Sequence, residues 1–346
     1  MHGRAPVPAT LAAIVLLIGG CDSRPLAMGD VQAINMTASP DLWAQVGDEV
    51  LDGIEGGVYT VRDDYAFRVM YQDPNEEPWL RIRLLKQVLV IGTPGDPWMT
   101  PVLEEVGVDR GAQVGTPESP GIVQVQNVWS RGQLVTALVL PEEAGTGAAA
   151  EMVRQSIPGL REMFDAQYRE WVVARMFVTE PDSEQARMLA AEYGFSMVFP
   201  KVYEYEVHDA VHIFINDNPD PSELIRQFAV AWRSSGPEEI TKEELLEWRA
   251  QVVESYDFPQ VVDTSRLIEE RKEVGGRQVY SVQAVWQNPP EALYPAAGPF
   301  ITWAVACPQH QRTYLVDAWL YAPEKDKYEY MIQLAEILNS FRCGED

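Results

Sequence analysis

The chain has 346 residues, of which 27 are basic and 52 acidic, for a formal net charge of −25, and 46% of its residues are hydrophobic. That apolar fraction supports a sizeable core and excludes wholesale disorder. The charge makes nucleic acid and anionic lipid head groups poor partners, because both are bound by clustered Lys and Arg.

The N-terminus reads as an address. Arg4 is the one charged side chain before Leu11–Ile18, an apolar run too short to span a bilayer. Small residues follow, so 1–20 reads as a secretory signal peptide. Ile18-Gly19-Gly20-Cys21 resembles the bacterial lipobox, in which cleavage leaves the cysteine first and its sulfur receives diacylglycerol. Cys21 is therefore the expected lipidation site. One acyl chain anchors only marginally, and two or three hold. The expected location is the cell envelope, on a membrane-anchored lipoprotein facing the periplasm or the exterior. Residues 21–30 read as a tether reaching on the order of 15 Å, and 31–346 as a single globular domain.

Ser39 and Pro40 open a helix carrying Leu42, Val46, Val50 and Ile54 four apart, which the Gly56-Gly57 pair ends. "LLKQVLVIG" and "GQLVTALVLP" read as strands, and 148–171 as a helix broken or restarted at Pro158. A helix closed by Gly194 precedes a strand "FSMVFP". "VHIFIND" reads as a strand, and "NPDPSELIRQFAVAWRSSG" as a helix with Leu224, Ile225, Phe228 and Trp232 on one stripe. Thr241–Glu244 is a capping box. "RQVYSVQAVW" alternates like a half-buried strand. "FITWAVACPQHQRTYLVDAWLYAP" reads as a hairpin turning at Pro308–Gln311, and "KYEYMIQLAEILNSF" is the last helix. Several strand pairs lie too close for helical crossovers, so the expected fold is α+β, a mixed or antiparallel sheet packed with helices. V-Q-x-V-W recurs, ending at Trp129 and Trp286, and suggests two structurally similar halves, about 31–180 and 195–343, sharing a core.

With Cys21 lipidated, Cys307 and Cys343 form an even pair, and an oxidising compartment favours a disulfide between them. Catalytic signatures are scarce. His2 lies in the signal peptide, and His310 in a turn. His208 and His212 fall within a stretch read as strand, where four residues span about 13 Å, too far for one zinc. Asn216, Asn218 and Asp220 start like a calcium loop, but Pro221 and Gln227 stand where Gly and Glu are needed. Asp220 reads better as a helix cap. Asp63-Asp64 and Glu76-Glu77 offer acid pairs of the kind glycosidases use, in a chain where acids are abundant. Trp79 and Trp98, each beside a proline, are candidates to line a cleft. No metal or cofactor is expected.

The lipobox, "DLWAQVGDEV", "YGFSMVFPKVY", "GPF" at Gly298–Phe300 and "YAPEKDKYEYMIQLAEILNSF" together resemble the bacterial lipoprotein family called domain of unknown function 4837. The resemblance spans nearly the whole chain after the signal peptide. Ala297 stands where the family's first of two glycines is usual. The family has no established activity, so the resemblance implies no catalytic residue. The expected function is a non-enzymatic envelope module that binds or supports an envelope protein or a glycan. The alternative is an extracytoplasmic hydrolase using paired carboxylates.

Overall fold

A computed structural model describes residues 24–62, 64–105, 120–218, 223–234 and 240–344. Cys21, His2, Asp63, Asp220 and Pro221 lie outside the described residues. The first sheet has the order β4-β1-β5-β7-β6. Its strands are β1 (Ala33–Thr37), β4 (Arg68–Tyr71), β5 (Gln87–Gly92), β6 (Gly121–Gln126) and β7 (Leu134–Val139). The first four in that order are parallel, and β6 runs antiparallel to β7. All six residues of β5 are buried, as a strand covered on both faces requires. One face packs under α1 (Pro40–Glu55) and α4 (Thr146–Met176), joining Met36, Leu89 and Leu138 to Val46, Ile54 and Phe164. The other lies under two short helices, α2 (Trp79–Ile82) and α3 (Thr100–Glu105), joining Val88, Val90 and Ala137 to Trp79 and Val102.

α1 begins where its sequence says. The Ser39 side chain accepts from the Leu42 N–H, and Pro40 occupies the first turn. α4 is one continuous helix through Pro158. The expected break is absent because proline removes only one rung of a ladder that Ile157, Leu160 and Phe164 hold against the sheet.

The second sheet is antiparallel throughout, in the order β11-β12-β13-β14-β10-β9-β8. Its strands are β8 (Glu204–His208), β9 (Val211–Asn218), β10 (Leu224–Ser234), β11 (Val261–Val274), β12 (Arg277–Gln287), β13 (Ala297–Cys307) and β14 (Arg312–Tyr321). α5 (Ser183–Tyr193) and α7 (Tyr328–Asn339) cover one face, with Leu189, Leu334 and Ile337 against Phe228, Val316 and Leu320. α6 (Lys242–Val253) covers the other, with Leu245 and Trp248 against Ala229, Trp286 and Trp319. The molecule is thus α+β. A small hairpin, β2 (Gly57–Val58) with β3 (Asp64–Tyr65), completes it.

Further expectations change. Leu224–Ser234 is a strand, not a helix. Phe228 and Val230 face α7, and Ala229 and Ala231 face α6, so burial on both faces produced an apolar run that also fits a helical stripe. The helix that Asp220 would cap is therefore absent from Leu224–Ser234. "FSMVFP" joins no sheet, and its backbone is held by single bridges, Ser196 to Arg342 and Pro181 to Pro200. The two halves do not share a topology: one sheet is mostly parallel and the other antiparallel. Trp129 lies beyond the end of β6, whereas Trp286 is within β12. The tether is also shorter than expected, because Arg131 N–H donates to Pro25 O at 2.8 Å and Ala27 N–H to Arg131 O at 2.9 Å.

α7 joins the sheets. Tyr328 and Ile332 belong to the core of the first sheet, and Met331, Leu334 and Ile337 to that of the second. Cys343, just past α7, is bridged to Cys307 at the end of β13, with 5.8 Å between their Cα atoms.

Candidate functional site at the seam between the sheets

The β2–β3 hairpin leaves the first sheet and clasps the second. Its contacts are polar and specific. The Tyr59 hydroxyl donates to the Arg266 carbonyl, and Gln283 Nε2 donates to the Tyr59 carbonyl at 3.3 Å. Arg62 donates to the Pro323 carbonyl, and Arg68 pairs with Asp326 at 2.6 Å. Beneath them the Lys327 ammonium lies 3.3 Å from the Asp64 carboxylate, both side chains almost fully buried. The Thr60 hydroxyl donates to the same carboxylate, and Lys327 also donates to the Lys325 carbonyl at 3.1 Å. A buried pair of this kind is costly to break, because a lone charge would remain out of water.

Between the hairpin and β11 lies a cleft of about 380 Å³, lined by Val58, Tyr59, Asp64, Tyr65, Arg266 and Ile268. β11 is an edge strand, and its pairing with β12 slips between Asp263 and Ile268. Such a bulge re-aims side chains. Here Arg266 is placed over the Tyr59 ring, 4.2 Å from its centre, a cation–π contact. Burial raises the Tyr59 hydroxyl above its ordinary value, so it remains a donor at neutral pH. Tyr65 and Ile268 are about half exposed at the mouth. The cleft offers apolar and aromatic surface and one guanidinium.

The sequence candidates are dispersed. Among the described lining residues Asp64 is the single carboxylate, and it is neutralised by Lys327. A glycosidase pair needs two carboxyl groups about 5–9.5 Å apart, one of them protonated. Glu76 and Glu77 are exposed, accepting from Gln72 and pairing with Arg81. Trp79 is buried against Trp129, and the Trp98 indole donates to the Ile91 carbonyl at 3.0 Å. Neither lines this cleft.

His208 and His212 stand on the two arms of a hairpin, not along one strand. The chain reverses at Asp209 and Ala210, both with positive φ, without the Asn-Gly or Asp-Gly signal that marks such turns. His208 is exposed beside Glu206, whereas His212 is buried with Nδ1 2.7 Å from the Tyr205 hydroxyl. Among the described residues no three metal-ligating side chains gather.

A wound parallel sheet often binds ligands where its connections diverge beyond the carboxyl ends of the strands. That place lies between β1 and β5, and the loops that follow β5 and β7 carry acids. Asp96 accepts the Thr93 N–H at 2.6 Å, and Glu142 accepts the Gly95 N–H at 3.1 Å. Two amides of the loop after β5 are therefore already satisfied by carboxylates.

The seam was not legible in the sequence. Tyr59 and Arg266 are 207 residues apart, and β11 reads as a polar, charged stretch with little alternation. Its one sequence signal was Asp64, picked out for an acid pair and used instead in an ion pair.

Residues 181–340 match the model of the family described as Domain of unknown function (DUF4837). The match covers α5, the second sheet and α7, and not the first sheet. No curated protein matches the chain. Among solved structures, the Ran-binding protein Mog1p of Saccharomyces cerevisiae is 11% identical, with 44% of this chain and 92% of that one covered and a TM-score of 0.31. Cyanobacterial PsbP (CyanoP) from Synechocystis sp. PCC 6803 is 8% identical, covering 43% and 86%, at 0.28. LpqN, involved in cell envelope biogenesis of Mycobacterium tuberculosis, is 9% identical, covering 42% and 79%, at 0.27. Among the described residues no helix is long and apolar enough to cross a membrane.

Proposed function

We propose that this chain, whose residues 181–340 belong to the DUF4837 family, is a lipoprotein of the cell envelope that binds or supports another envelope component. Cys21 carries the lipid, and the partner is an envelope protein or a glycan. The observation that carries the binding role is the seam cleft. It presents Tyr65, Ile268 and Arg266 around a carboxylate already neutralised by Lys327. Aromatic surface with a fixed cation suits recognition. Hydrolysis by paired carboxylates needs an acid free to exchange protons.

Retention of the protein on purified cell-wall glycan and on solubilised envelope complexes tests this. Exchanging both mouth residues, Tyr65→Ala with Ile268→Ala, is expected to lower retention about tenfold or more, from lost apolar contact, with thermal stability little changed. Turnover of the glycan, abolished by Asp64→Asn, would instead support the hydrolase.

A further inference from the structure

Three segments of the chain contain bases and no acids: 24–29, 79–86 and 127–134. Together they hold Arg24, Arg81, Arg83, Lys86 and Arg131, in a chain with nearly twice as many acids as bases. The fold knits these segments into one end of the first sheet, where β5 and β7 begin. The Lys86 N–H donates to the Met28 carbonyl at 2.9 Å, and the Leu134 N–H to the Lys86 carbonyl at 2.8 Å. Leu26 bridges to Arg131 and Met28 to Leu85. Trp79 packs edge-on against Trp129 at 5.6 Å, bringing α2 alongside. The same segments expose Leu26, Met28 and Leu80, which are 67%, 62% and 51% accessible. Among the described residues two carboxylates pair with bases at this end, Glu105 at 3.0 Å from Arg24 and Glu77 at 3.7 Å from Arg81. Lys86 and Arg131 have no carboxylate within ion-pair distance among the described residues.

We propose that this end of the first sheet is a membrane-docking face that rests on a bilayer containing anionic phospholipid. The inference rests on the anchor at Cys21, which precedes Arg24 by three residues in sequence. Because Pro25 and Ala27 are hydrogen-bonded to Arg131, a lipid on Cys21 leaves this end almost no room to lift away. Exposed leucine and methionine enter the interface, and lysine and arginine meet the phosphates. The chain as a whole is acidic and is repelled by the same lipids, so the clustered bases of this end favour this orientation. The seam cleft then belongs to a body of fixed orientation.

Amide hydrogen exchange tests the docking. The protein is coupled through the Cys21 thiol to a maleimide-bearing lipid in vesicles of phosphatidylcholine with phosphatidylglycerol. Relative to the uncoupled protein, exchange in 79–86 and 127–134 is expected to slow about fivefold or more, and 288–296 to remain unchanged. Lys86→Glu with Arg131→Glu, both away from the core, is expected to abolish the slowing, as is vesicle composition of phosphatidylcholine alone. Equal exchange on and off the vesicles, or slowing indifferent to those changes, overturns the docking face. The coupling is chemical, so this result is independent of whether Cys21 carries lipid in the cell.

Discussion

Burial pushes the His212 imidazole down to about 4 from its ordinary 6.5. Tyr193 meets the ring edge-on at 4.3 Å and Trp232 stacks on it at 5.1 Å, so the protonated form has little solvation. Between pH 4 and 6.5 the unfolded chain binds a proton that the folded chain refuses. His212 therefore contributes stability above pH 6.5 that is lost as the pH falls towards 4, up to about 3 kcal/mol. The urea midpoint is expected to drop over that window and to drop less in His212→Gln. An unchanged pH slope in the variant would show that the imidazole is not excluding a proton. A second buried polar group joins helix to sheet. Arg249 Nε donates to Asp317 at 2.7 Å, Tyr256 donates to the other carboxylate oxygen at 2.9 Å, and Arg249 lies 3.7 Å from the centre of the Phe300 ring. Neither arrangement is legible in sequence, because Arg249 lies on α6 and its partners Phe300 and Asp317 on β13 and β14, which only the folded sheet brings together. Gly298 stands in the G-P-F motif for a steric reason. A Cβ there would lie 1.8 Å from the Leu320 carbonyl oxygen, so any side chain forces β13 and β14 apart.

At the scale of elements, capping and periodicity were dependable where one face is buried. The Thr241–Glu244 capping box is present with both of its hydrogen bonds, and α1 and α7 carry single apolar stripes. Reading failed where both faces are covered, as in β10, because a continuous apolar run fits either period. β1, a five-residue strand lying between β4 and β5, is not legible in the sequence either. The C-terminal helix is tied to the second sheet by the Cys307–Cys343 bridge, whose two cysteines are 36 positions apart in sequence. In the chain-entropy model such a closure contributes about 3 to 4 kcal/mol. Reduction, or the paired change Cys307→Ser and Cys343→Ser, is expected to lower the denaturation midpoint accordingly. Two free thiols at these positions in denatured, unreduced protein would contradict the bridge.

The whole molecule is two differently built sheets sharing α7 and clasped by the β2–β3 hairpin. The α+β class was legible from strand spacing, but the division of labour was not. A wound parallel sheet and an antiparallel one use similar Val- and Trp-rich strands, so V-Q-x-V-W recurs at Trp129 and Trp286 without a common topology. What the sequence states most directly is the address at Leu16–Ser23, and the proposed account of the molecule depends on it. Under that proposal an anchor at Cys21 would place the basic end against lipid and commit the seam cleft to envelope partners. Mass spectrometry of the protein purified from membranes tests that claim. The account predicts a chain beginning at Cys21 with diacylglycerol on its sulfur. A chain that begins elsewhere, or an unmodified Cys21, would contradict it.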